Sequence, residues 1–102
     1  MSDENFSNAR QELQDLYIGS FPEKIDTLRT QLAKLADKDN SEVRVSLGAA
    51  VHKLAGSAGS YGYARVSELA RSIEQQIKEH ESVDQLATQT KLLITELEKH
   101  LS

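Results

Sequence analysis

Apolar residues recur at spacings of three and four along five segments of the chain, and the breaks between segments carry polar residues or glycine. From residue 3 to residue 18, Phe6, Ala9, Leu13, Leu16 and Tyr17 share one stripe that stops at Gly19. This predicts a short helix packed across the others, as a lid would be. Pro22 suits a first helical turn, where its missing N–H costs nothing, and Ile25, Leu28, Leu32 and Leu35 then trace the cleanest amphipathic helix. After a polar break at Asp37 to Asn40, Ser41 and Glu42 can cap and charge a third helix running to about Ser60. A fourth, from about Tyr63 to His80, has Val66, Leu69, Ile73 and Ile77 on one face, and Ser82 caps a fifth that buries Leu86, Leu93, Leu97 and Leu101. Four long amphipathic helices with short connections predict an all-α fold, an antiparallel four-helix bundle with a short additional N-terminal helix, in a single domain over residues 1–102.

Composition narrows the function classes. A chain of 102 residues can build one modest core but no elaborate cleft. With no cysteine, disulfides, thiolate metal sites and cysteine nucleophiles are excluded. A formal net charge of -4, with Lys and Arg scattered, leaves no basic stripe for nucleic acid. No apolar run approaches the roughly 18 residues that cross a bilayer, and the polar start MSDENFSNARQEL lacks signal-peptide features, so membrane insertion is not expected and the cytoplasm is the expected location. His80 and His100 fall near helix ends, where a partly positive ring complements the dipole, and read as surface residues. With no Glu-x-x-His and no i, i+4 histidine pair, no metal site is expected.

The third helix carries the unusual chemistry. Projected at about 100° per residue, Leu47, Ala50, Val51, Leu54 and Ala58 form its core face, and His52 falls about 140° from the centre of that face. The positions that can crowd the imidazole are Gly48, Ala49, Ala55, Gly56 and Gly59, all glycine or alanine. Three interior glycines cost about 2 kcal/mol of helix stability, which calls for a compensating use. A bare strip lets another protein's loops approach the ring nitrogen, as in-line phosphoryl transfer requires. An ordinary imidazole, with a pKa of about 6.5, offers a neutral nucleophilic nitrogen near neutral pH. Lys53, with Ser57 and Ser60 further round the same flank, places an ammonium and hydroxyls where they can stabilise an added phosphoryl group.

Two other readings stay open at this point. Glycines 48, 56, 59 and 62 can mark a loop, although the apolar period of Leu47, Val51, Leu54 and Ala58 runs unbroken across two of them. Small residues can instead serve tight helix packing, which predicts His52 buried and hydrogen-bonded. Ser57 as a nucleophile lacks a base, since His52 lies five residues back and about 140° round the helix.

The run from His52 through Lys53, Leu54, Ala55, Gly56, Ser57, Ala58, Gly59, Ser60 and Tyr61 to Gly62 resembles the signature of histidine phosphotransfer (HPt) domains. In that family the phosphorylated histidine is followed by an apolar residue at +2, Gly at +4, a small residue at +5 and often Gly at +10. His52, Leu54, Gly56, Ser57 and Gly62 take those places, while Leu69 with Ile73-Glu74, and Phe21-Pro22 with Ile25, Leu28 and Leu32, resemble the flanking helices. The likeness covers most of residues 13 to 78. It departs at +3, where the family commonly has Lys and this chain has Ala55; Lys53 is then the nearest candidate for that charge, and Lys restored at Ala55 is expected to change the transfer rate or phosphohistidine lifetime while leaving stability nearly unchanged.

The resemblance implies a monomeric phosphocarrier without kinase activity. His52 would accept a phosphoryl group from the aspartate of one response-regulator receiver domain, such as that of a hybrid sensor histidine kinase, and donate it to another. Lys53, Gly56 and Ser57 would surround the phosphoryl group, and Gly48, Ala49, Ala55 and Gly59 would form the docking surface. No cofactor is expected on this chain; Mg²⁺ would sit on the receiver. The competing expectation is a helical adaptor or dimerisation module, whose structural sign would be His52 turned into the core.

Overall fold

The computed structural model describes residues 3–101, with side chains from residue 9 onward. Five helices follow in order: α1 Asp3–Ile18, α2 Phe21–Asp37, α3 Ser41–Ser60, α4 Ala64–Lys78 and α5 Val83–Lys99. There is no strand among the described residues. The short connections force antiparallel neighbours, and α2 packs on α3, α3 on α4, α4 on α5 and α5 back on α2, closing a four-membered ring. Each amphipathic helix turns its apolar stripe inward. Phe21, Leu28, Leu35, Leu47, Ile73, Leu86, Leu93 and Leu97 are sealed from solvent inside the bundle.

Local chemistry sets the boundaries. The α3 cap is Asn40, one residue before the expected Ser41: its Oδ1 accepts from the Val43 N–H at 2.9 Å. Ser82 caps α5 as expected, accepting from the Gln85 N–H at 3.1 Å. Helices α3 and α4 end in the same backbone wrap. Past α3, Tyr63 N–H reaches Ala58 O at 2.8 Å and Gly62 N–H reaches Gly59 O at 3.2 Å; past α4, Glu81 reaches Gln76 O and His80 reaches Ile77 O. The wrap needs a left-handed residue. Glycine supplies it without strain at Gly62, φ 87°, whereas His80 takes it at φ 56° against its own Cβ. His80→Gly is therefore expected to stabilise the fold by about 0.5 to 1 kcal/mol, raising the melting temperature by roughly 2 to 6 °C. A thermal melt checks this, and a lowered midpoint would contradict it.

Three expectations change. The lid is not formed: Leu16 is 75% exposed, Leu13 is also exposed, and α1 joins the bundle mainly through its last turns. The other four helices already bury one another's apolar stripes. The Phe6 side chain lies outside the described residues. Leu101 is exposed, because α5 stops at Lys99 before reaching it. His100 is half-buried rather than on the open surface, its ring edge-on to Tyr63 at 4.9 Å and to Phe21 at 5.9 Å. His80 is exposed.

The attachment of α1 is aromatic and polar. Tyr17 stacks on Tyr61 at 4.4 Å and meets Phe21 edge-on at 5.3 Å, and Gln14 Nε2 donates to Tyr61 O at 2.9 Å. These contacts gather the start of α2, the α3–α4 turn and the end of α5 at one end of the bundle.

Candidate functional site

Helix α3 runs without interruption through Gly48, Gly56 and Gly59, which removes the loop reading. Its buried face is wider than the projection suggested, because α4 packs closely on one flank. Ala55 is only 4% exposed, and the Ser67 hydroxyl donates to its carbonyl at 2.8 Å. A Cβ on Gly48 would sit 3.7 Å from Ile77 Cδ1, and one on Gly59 would sit 3.4 Å from Ser67 Oγ.

Gly48 and Ala55, expected on the docking surface, therefore belong chiefly to the α3–α4 contact, where small residues let two helix backbones approach. A Lys at position 55 would have to thread between the helices, so the expectation of unchanged stability there is withdrawn. Gly59 stays exposed beside Ser67. The open strip on the outer face of α3 is Val45, Ala49, His52 and Gly56, about one turn apart, and a Cβ on Gly56 would meet nothing within 4 Å.

His52 stands on this strip with 76% of its side chain exposed, and its Nδ1 lies 2.6 Å from Glu74 Oε2 on α4. The packing reading was half right: the small residues do admit α4, and the ring is hydrogen-bonded, but it remains in solvent. A carboxylate can only accept, so the hydrogen of this bond is on Nδ1, and the lone pair of the neutral ring is on Nε2. Glu74 is itself 22% exposed. It thus orients the ring from the shoulder of the α3–α4 contact.

Glu74 was missed as a site residue, although a signal for it exists. His52 lies ten residues before Gly62 and Glu74 twelve after it, and in an antiparallel pair, residues nearly equidistant from the turn face each other.

The other flank of α3 has a different use. Lys53 is exposed and lines an open pocket of about 320 Å³ between α2 and α3, together with Tyr17, Lys24, Thr27 and Ser57. Ser57 is joined to α1 rather than brought to His52: its hydroxyl shares a 2.7 Å hydrogen bond with the Tyr17 hydroxyl. Burial pushes the Tyr17 phenol up from its ordinary pKa, keeping it protonated for this bond. Ser60 Oγ donates to Gly56 O at 3.1 Å. Among the described residues, no three His, Asp or Glu side chains come together as metal ligands.

Compared with protein-family models, residues 12–100 match the one described as Hpt domain. No curated protein and no solved structure matches the chain.

Proposed function

We propose, since this chain belongs to the Hpt domain family, that His52 Nε2 carries a phosphoryl group between the aspartates of two receiver domains in a two-component phosphorelay. Histidine phosphotransfer in phosphorelays is the work of the family. The finer assignment is carried by one observation: an exposed imidazole held at Nδ1 by Glu74, on a strip bare of large side chains.

The chemistry follows from that arrangement. The Nε2 lone pair attacks the phosphorus of an aspartyl phosphate, the N–P bond forms, and the acyl O–P bond breaks with its electron pair returning to the aspartate. The ring becomes an imidazolium that keeps its Nδ1 proton beside the Glu74 carboxylate, which stabilises the positive charge. Reversal delivers the phosphoryl group to a second receiver. In this reading Mg²⁺ belongs to the receivers, one of them part of a hybrid sensor histidine kinase, and this chain is a monomeric carrier and no kinase. Cytoplasmic placement belongs to the same proposal; no helix among the described residues is long and apolar enough to cross a membrane. The adaptor alternative gives His52 no covalent chemistry; the exposure of its ring on a bare helical strip favours the carrier reading.

The test incubates the chain with a receiver carrying ³²P on its aspartate. Acid-labile label is expected on this chain and maps to His52; no label, or label elsewhere, overturns the assignment. Gly56→Leu gives a second check. The added side chain meets open space and improves helix propensity by about 0.8 kcal/mol, so the melting temperature should not fall. It also stands one turn from the imidazole and blocks a receiver's approach, so transfer should slow by about 100-fold in rapid-quench measurements. A variant that transfers at the wild-type rate would show that the open strip has no role in access.

A further inference from the structure

Ser67, Arg71, Glu74 and Lys78 follow at spacings of four, three and four along one side of α4. Two of them are fixed to α3: the Ser67 hydroxyl at the Ala55 carbonyl, 2.8 Å, and the Glu74 carboxylate at the His52 ring, 2.6 Å. Arg71 lies between these anchor points, level with the turn of α3 from His52 to Gly56. Its side chain is exposed. The carboxylates one turn away on its own helix are engaged, Glu68 by Arg65 at 3.5 Å and Glu74 by His52. Among the described residues, no hydrogen bond or ion pair holds the Arg71 guanidinium.

The α3 side of this place is empty of charge. Ala55 is small and covered, Gly56 leaves open space, and Lys53 projects over the opposite flank toward α2. We propose that Arg71 is the cation that binds the phosphoryl oxygens on His52, standing where Ala55 leaves the family's lysine missing. This rests on the function proposed above.

A phosphoryl group on Nε2 brings two negative charges to a chain of formal net charge -4. The guanidinium fork pairs with two phosphoryl oxygens at once, whereas an ammonium meets them as a point charge. Arg71 and Glu74, three residues apart, thus divide the work: the carboxylate holds the Nδ1 side of the ring and the guanidinium holds the group on Nε2. No bond is made or broken by Arg71. Its effect is to favour phosphohistidine over aspartyl phosphate at equilibrium.

The experiment measures the equilibrium division of ³²P between a receiver domain and the wild type, Arg71→Gln, Arg71→Lys or Lys78→Gln, with circular dichroism melts on each variant. Arg71→Gln is expected to shift the label toward the receiver by about fivefold, the size of one charge-assisted contact open to solvent. Arg71→Lys should recover part of that shift. Lys78 lies one turn beyond Glu74, at the level where Ile77 meets Gly48, and Lys78→Gln should divide label as the wild type does. An unchanged division in Arg71→Gln, or an equal shift in Lys78→Gln, overturns the role of Arg71. Absence of label from the wild type would instead remove the phosphocarrier function itself, so the two failures are told apart.

Discussion

His52→Gln is expected to remove all acid-labile phosphorylation while moving the melting temperature by no more than about 4 °C. The loss is complete because an amide has no nucleophilic nitrogen, and neither other histidine is placed to substitute. His100 is wedged between Tyr63 and Phe21, with Glu96 Oε2 3.5 Å from its Nε2, and His80 sits in the left-handed turn after α4. The fold is spared for a separate reason. The His52 ring is largely in solvent, and an exposed pair such as His52 with Glu74 contributes about 0 to 1 kcal/mol. A glutamine amide can still donate toward the carboxylate. Intact-mass measurement with acid and base treatment reads the label, and a melt reads the fold. Label surviving in a folded His52→Gln protein would move the acceptor to another residue.

Periodicity within single helices was readable from the chain, since each apolar stripe and its capping residues lie within a few positions of one another. Contacts between helices were not. Gly48 and Ala55 look alike from the sequence whether small residues serve a visiting protein or a neighbouring helix; only the position of Ser67 and Ile77 on α4 distinguishes the two. Ser57 and Tyr17 are 40 residues apart, so nothing local announced their shared hydrogen bond.

The same limit applies to a charged neighbour of His52. A helical projection gives angles about one axis, and it led to Lys53; it carries no information about what α4 brings alongside, which is the Glu74 carboxylate at the His52 ring. The exposure of Leu13 and Leu16 likewise depends on α5 closing back on α2, a property of the whole ring.

The second large effect is structural. Phe21→Ala is expected to cost about 3 to 5 kcal/mol, the usual loss when a fully buried phenyl ring is truncated. Phe21 has no solvent exposure, and its ring meets Tyr17, Tyr63 and His100 edge-on at 5.3, 5.4 and 5.9 Å. Those partners come from α1, the α3–α4 turn and the residue capping α5, so the cavity would open where three segments converge. A domain of this size has about 5 to 15 kcal/mol of stability in all, and the urea midpoint should fall by roughly 2 to 3 M. Leu16→Ala, five residues earlier on α1 and exposed, should change stability by no more than about 0.5 kcal/mol. A loss below 1 kcal/mol for Phe21→Ala would mean that the aromatic cluster is an ornament on a bundle held by its aliphatic centre. A large loss would mean that the α3–α4 turn, and with it the register that sets Glu74 against His52, is fastened from this end.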